Sequence, residues 1–218
     1  RSVEFVNQGT EDLILNQALS ASVDFREADF ELLQLSGAWS RERHIKRRSL
    51  EHGTQAIESK RGASSPYQNP FLGLVRPHTT EDQGEAYGFS LVYSGNFLAQ
   101  AEVNHFDQTR VTMGINPFDF SWLLEPEANF QTPEVVMAYS DQGINQLSQT
   151  YHQLYRTRLA RGQYRDQERP VLINNWEATY FDFNEEKLLA LAETASELGI
   201  ELFVLDDGWF GNRDDDTS

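Results

Sequence analysis

Apolar and polar residues alternate through roughly the first 140 positions, and the spacing then changes to that of a helix. In residues 20–25, Ala21, Val23 and Phe25 fall on one face, which predicts a half-buried strand. Residues 3–7 alternate in the same way, and residues 29–39 do so before running into the basic stretch Arg41 to Arg48. Residues 88–96 end in the turn signal Ser94, Gly95, Asn96, so residues 97–106 are expected to return as a hairpin partner. Residues 111–115 stop at Asn116 and Pro117, and residues 131–139 predict a further strand. Short strands with frequent turn residues predict a β-sandwich. Residues 62–70, rich in Gly, Ser and Pro, read either as a surface loop or as a loop reaching toward a neighbouring domain or subunit.

From Asp141 to about Leu159 the period lengthens. Ile144, Leu147, Tyr151, Leu154 and Tyr155 share one helical face, and Arg156, Arg158 and Arg161 suit the negative end of the helix dipole. From Pro170 the order is strand, helix, strand. Val171 to Ile173 and Leu202 to Leu205 are short apolar runs. Between them, Asn184 can cap a helix, Glu185 and Glu186 suit its first turn, and Gly199 suits the position past its end. Its predicted inward stripe is Leu188, Leu191, Ala192, Ala195 and Leu198. Periodicity leaves both an open doubly wound sheet and a (β/α)8 barrel in play. The predicted division is a β domain over residues 1–140, a helical linker over 141–167 and an α/β part over 168–218.

Composition narrows the partners. The chain has 218 residues, a hydrophobic fraction of 39% and a formal net charge of −16. That charge disfavours nucleic acid and anionic membrane surfaces and favours neutral ligands. The basic stretch from Arg41 to Arg48 reads as a solvated strand face rather than a nucleic-acid site. No apolar run reaches membrane-spanning length. The absence of cysteine excludes disulfides and thiolate metal sites and suits a reducing cytoplasm. The opening Arg1 to Phe5 has no apolar leader behind it, and both ends read as mid-protein sequence. The expectation is therefore a piece of a longer protein, which leaves secretion open.

Chemistry concentrates at the C-terminal ends of the two predicted parallel strands, where α/β folds bind ligands. Asn174, Asn175, Trp176 and Glu177 follow the first strand; Asp206, Asp207 and Trp209 follow the second. Successive strand side chains point to opposite faces. Asp206 and Asp207 can therefore share a site only if the strand has ended there, as Gly208 permits. The alternative is one ligand beside one cap or salt bridge. Two similarly solvated carboxylates hold vicinal hydroxyls well but make a poor acid/base pair, which needs separated pKa values. Trp176 and Trp209 offer flat faces for the C–H side of a sugar, or are ordinary core residues. The run Asp214 to Asp216 lacks the ligand pattern of a calcium loop and reads as a solvated acidic loop. The five histidines show no zinc spacing, and no phosphate-binding glycine pattern is present, so no metal or cofactor is expected.

The runs from Leu172 to Phe183 and from Leu205 to Gly211 closely resemble bacterial and fungal α-galactosidases of glycoside hydrolase family 36. Leu35 to Trp39 with Arg41 to Arg43, Glu81 to Gly84, Val92 to Phe97 and Gly114 to Phe118 are similar to that family's N-terminal domain. The resemblance covers essentially the whole chain. It implies a β-supersandwich, a helical linker and the first βαβ unit of a (β/α)8 TIM barrel. It implies retaining hydrolysis of terminal α-galactosides such as melibiose and raffinose, with the nucleophile and acid/base beyond Ser218, so no catalytic residue is expected here. Asp206 and Asp207 match the pair that binds galactose hydroxyls, Trp176 matches a wall of the galactose subsite, and Trp39 matches a tryptophan near the site's mouth. Homotetramers with shared sites are also implied, which would give residues 64–70 a role. A related galactosyl transferase, an α-N-acetylgalactosaminidase and a non-catalytic carbohydrate-binding module are the alternatives.

Overall fold

The computed structural model describes residues 1–217 and separates into two compact units, Arg1–Tyr155 and a second beginning at Arg156. In the first unit the strands are β1 (Glu4–Val6), β2 (Leu13–Leu15), β3 (Leu19–Phe25), β4 (Glu31–Ala38), β5 (Arg41–Ser49), β6 (Gly53–Glu58) and β7 (Gln68–Val75). They continue as β8 (Ala86–Leu91), β9 (Phe97–Val103), β10 (Thr109–Ile115), β11 (Trp122–Leu124), β12 (Asn129–Gln131) and β13 (Val135–Ser140), followed by helix α1 (Gly143–Leu154).

Two antiparallel sheets form the sandwich, one ordered β13-β8-β7-β4-β5 and the other β3-β10-β9-β6. Between them lies a core of Leu32, Leu72, Leu74, Phe89, Leu91, Phe97, Val111 and Met113, with the expected face of Ala21, Val23 and Phe25 packed against it. Strand β4 buries both Leu32 and Leu33, because α1 covers the other face of its sheet. Leu147 and Tyr151 of α1 pack there with Leu33, Val75 and Ala86. Gly88 makes this docking possible: a Cβ there would stand 2.6 Å from the Tyr151 ring. The Tyr151 hydroxyl donates to the Val136 carbonyl at 3.0 Å, and burial raises its pKa above the ordinary tyrosine value. At the other end of α1, the amides of Ile144 and Asn145 donate to the carbonyls of Thr80 and Glu81, satisfying helix-end donors without a side-chain cap.

The basic stretch is β5, an edge strand with all nine residues exposed, as expected of a solvated strand. Its positive side chains blunt an edge that would otherwise invite further pairing.

Three local expectations are corrected. Residues 88–96 and 97–106 do not form a hairpin. Strand β8 pairs with β7 and β13, while β9 pairs with β10 and β6, so Ser94 to Asn96 carry the chain from one sheet to the other. The crossing sets Phe89 and Leu91 opposite Phe97 and Ala99 across the core, which pairing within one sheet could not do. The strand expected over residues 131–139 is two strands, β12 and β13, separated at residues 132–134. Pro133 within that break has no amide to continue a ladder. Gln68 to Pro70, expected in a loop, begin β7.

The second unit holds β14 (Leu172–Asn174), the short helix α2 (Trp176–Thr179), helix α3 (Glu185–Glu197) and β15 (Leu202–Val204). Strands β14 and β15 are parallel. The Asn184 side chain accepts from the Lys187 amide at 3.0 Å, and Gly199 has φ of 80°, so both predicted ends of α3 are in place. Its inward stripe is shorter than expected. Ala195 is buried and Leu188, Leu191 and Ala192 are half-buried, but Leu198 at the helix end is 77% exposed.

Candidate functional site

The site is built at the C-terminal ends of the parallel pair. Asn174 is the last residue of β14, and its amide donates to Asp206 Oδ2 at 2.5 Å while its Oδ1 accepts from the Trp176 amide at 2.8 Å. Asn175 is buried beside it. Its Oδ1 accepts from the Asp206 amide at 2.9 Å, and its backbone amide donates to Val204 at 3.2 Å. The two asparagines thus tie one strand end to the other. A buried amide side chain is tolerated because it is hydrogen-bonded: Asn175 Nδ2 donates to Thr179 Oγ1 at 2.9 Å.

Strand β15 ends at Val204, two residues before the acidic pair, so strand alternation no longer separates Asp206 from Asp207. Both line one open cleft with Leu205, Trp209, Phe210 and Arg213. Their anchors differ. Both Asp206 oxygens are engaged, Oδ2 by Asn174 and Oδ1 by the Asp207 amide at 2.8 Å. Asp207 Oδ1 accepts from Arg213 Nε at 2.7 Å and from the Gly208 amide at 2.8 Å. The Arg213 hydrogen bond holds the Asp207 carboxyl below the usual range, against desolvation that acts the other way.

Trp176 follows the end of β14, as Asp206 follows the end of β15, and opens the short helix α2. Its ring meets Phe181 edge-to-face at 4.9 Å and Tyr180 at 5.4 Å, and it is half-buried. It does not line the cleft of the acidic pair. Trp209 does line it and is 63% exposed. Trp39 belongs to the first unit, at the tip of the β4–β5 hairpin, and is 84% exposed. That tip is tightly wound. A Cβ on Gly37 would stand 2.3 Å from the Arg41 carbonyl, and Ser40 has φ of 60°. The structure therefore brings together Asp206, Asp207 and Trp209, sets Trp176 beside them through Asn174, and carries Trp39 on separate scaffolding.

Arg213 and Phe181 were not among the residues singled out from sequence. The available signal for Arg213 was a lone cation between the turn at Gly208 to Gly211 and the acidic run Asp214 to Asp216. Among the described residues, no group of three or more His, Cys, Asp or Glu side chains could hold a metal ion.

The fold alone does not assign a function, but two family models match the chain. Residues 1–125 match the glycosyl hydrolase family 36 N-terminal domain, and residues 129–218 match melibiase. The chain belongs to glycosyl hydrolase family 36. It is 68% identical over 216 residues to alpha-galactosidase AgaA of Geobacillus stearothermophilus, covering 99% of this chain and 30% of that protein. The crystal structure of the family 36 alpha-galactosidase AgaB from the same organism is 69% identical, with a TM-score of 0.93 over 98% of this chain and 30% of its own. A substituted AgaA solved in complex with raffinose has 68% identity, a TM-score of 0.93 and the same coverage. The chain thus spans about a third of the length of these relatives.

Proposed function

We propose that the whole protein hydrolyses terminal non-reducing α-D-galactosyl residues of melibiose- and raffinose-type galactosides with retention, and that this chain supplies substrate-binding groups. In this reading Asp206 and Asp207 accept galactose hydroxyls, Trp176 forms a wall of the galactose subsite and Trp39 stands near its mouth. The nucleophile and the acid/base belong to chain beyond Ser218. Residues 1–140, 141–167 and 168–218 act as sandwich, linker and start of the barrel. The full-length protein works as a homotetramer in the cytoplasm.

One observation carries this reading: the two carboxylates are anchored side by side, and Asp207 is held ionised by Arg213. A general acid must keep its proton near neutral pH, which requires a raised pKa. Asp207 is shifted the other way. An ionised carboxylate beside a second one, with an aromatic face in the same cleft, suits holding hydroxyls in place. The relatives support the substrate, since a close one was solved with raffinose.

The test is release of nitrophenol from an aryl α-galactoside. Full-length protein should turn it over, and residues 1–218 alone should not. Appreciable turnover by residues 1–218 would contradict the placement of the catalytic groups.

A further inference from the structure

We propose that Arg213 is a positioning residue for sugar binding: it fixes one oxygen of Asp207 and leaves the other to accept from the ligand. The inference rests on the reading of Asp207 as a galactose ligand. Its basis is the asymmetry of the pair. Each Asp206 oxygen already accepts one hydrogen bond, from Asn174 or from the Asp207 amide, and keeps one acceptor site. The hydrogen bonds to Asp207 both end on Oδ1, from Arg213 and Gly208, and among the described residues none ends on Oδ2. A carboxylate oxygen has two acceptor sites, so Oδ2 keeps its full capacity. A charge-assisted bond on Oδ1 also restricts rotation of the carboxylate plane, which sets where Oδ2 points.

Arg213 is itself placed from the other strand end. Its guanidinium lies 5.9 Å from the Phe181 ring centroid. The same ring backs Gly208 so closely that a Cβ there would stand 2.9 Å from Phe181 Cδ1. Phe181 in turn packs on Trp176. A contiguous line therefore runs from Trp176 through Phe181 to Arg213 and Asp207, and it registers the acidic strand end against the aromatic one. Among the charged groups bearing on this pair are Asp206, next in sequence, and Asp215 and Asp216, which act on Arg213. Removing the cation leaves Asp207 among like charges.

The experiment uses the full-length enzyme with an aryl α-galactoside and compares Arg213→Met, Arg213→Gln, Arg213→Lys and Asp207→Asn. Loss of Arg213 is expected to raise KM about tenfold, the loss of one charge-assisted contact, with a smaller change in kcat. It should also move the acid limb of kcat/KM to higher pH, because Asp207 then takes up a proton more readily. Arg213→Lys should recover part of the KM, since it restores the charge without the planar fork. If Asp207→Asn raises KM but Arg213→Met and Arg213→Gln match wild type in KM and acid limb, the role of Arg213 is overturned alone. If Asp207→Asn leaves KM unchanged, the reading of Asp207 falls and takes this one with it. Arg213→Gln removes the charge but keeps a polar side chain, so if Arg213→Met fails to fold, an acid limb in Arg213→Gln that matches wild type overturns the role by itself.

Discussion

The sandwich unit and the βαβ unit bury apolar surface very differently. In the first, two sheets enclose one cluster and α1 closes a second, with Leu32, Leu72, Leu74 and Phe97 fully buried. Among the described residues of the second, Ala195 is the one buried apolar side chain, while Leu172, Leu189, Leu198, Leu202 and Leu205 are exposed. The first unit meets the requirement for a self-sufficient domain, a core of its own. A βαβ unit presents strand and helix faces that further layers must cover. The functional groups follow the same division. Sandwich strands carry Trp39 on a tight hairpin, whereas the acidic pair sits on the unit whose own packing is thin.

The largest expected effect separates the two units outright. Residues 1–155 expressed alone should unfold cooperatively in urea, and residues 156–218 alone should show no cooperative transition and should bind a hydrophobic dye. A cooperative transition in the shorter polypeptide would break the comparison. Next in size are core truncations. Leu147→Ala on α1 should cost about 2–5 kcal/mol, whereas Leu198→Ala in the 218-residue chain should stay within about 0.5 kcal/mol. Denaturant midpoints of the two variants check this.

A smaller effect appears at alkaline pH. The buried Tyr151 hydroxyl has its pKa raised above the ordinary value of 10.0. Its contribution to stability is therefore whole below pH 10 and is lost as pH climbs from there toward the folded value. The expected slope for this group is about 1.4 kcal/mol per pH unit, and Tyr151→Phe should remove that share of the alkaline loss. The smallest effect is in the second unit. Asp207 should titrate below its ordinary 3.8 because Arg213 favours the ionised form. Its small contribution is present above that value and disappears as pH falls through the folded pKa. A carboxyl NMR titration of wild type against Arg213→Gln measures the shift directly.

Sequence periodicity located what local physics controls. The Ala21, Val23 and Phe25 face, the Asn184 cap, the Gly199 exit and the acidic pair at a strand end are each set by neighbours within a turn or a strand. It missed what distant pairing decides. Ser94 to Asn96 read as a hairpin turn because a turn signal does not say whether the next strand joins the same sheet. Strands β6 and β7 went unread beside a loop rich in Gly, Ser and Pro. Arg213 carried no pattern of its own, since its meaning depends on Asp207 and Phe181, brought beside it by the fold. The short helix α2 opening at Trp176 went unread, because four residues directly after a strand carry no helical period of their own.

The central claim is that Asp206 and Asp207 hold the sugar and do not cleave its bond. The most direct measurement is peptide mapping of the full-length enzyme after trapping the covalent glycosyl-enzyme with an activated fluorogalactoside. A label on a carboxylate outside residues 1–218 is the predicted result, with Asp207→Asn slowing labelling through weaker binding. A label on Asp206 or Asp207 would contradict the account.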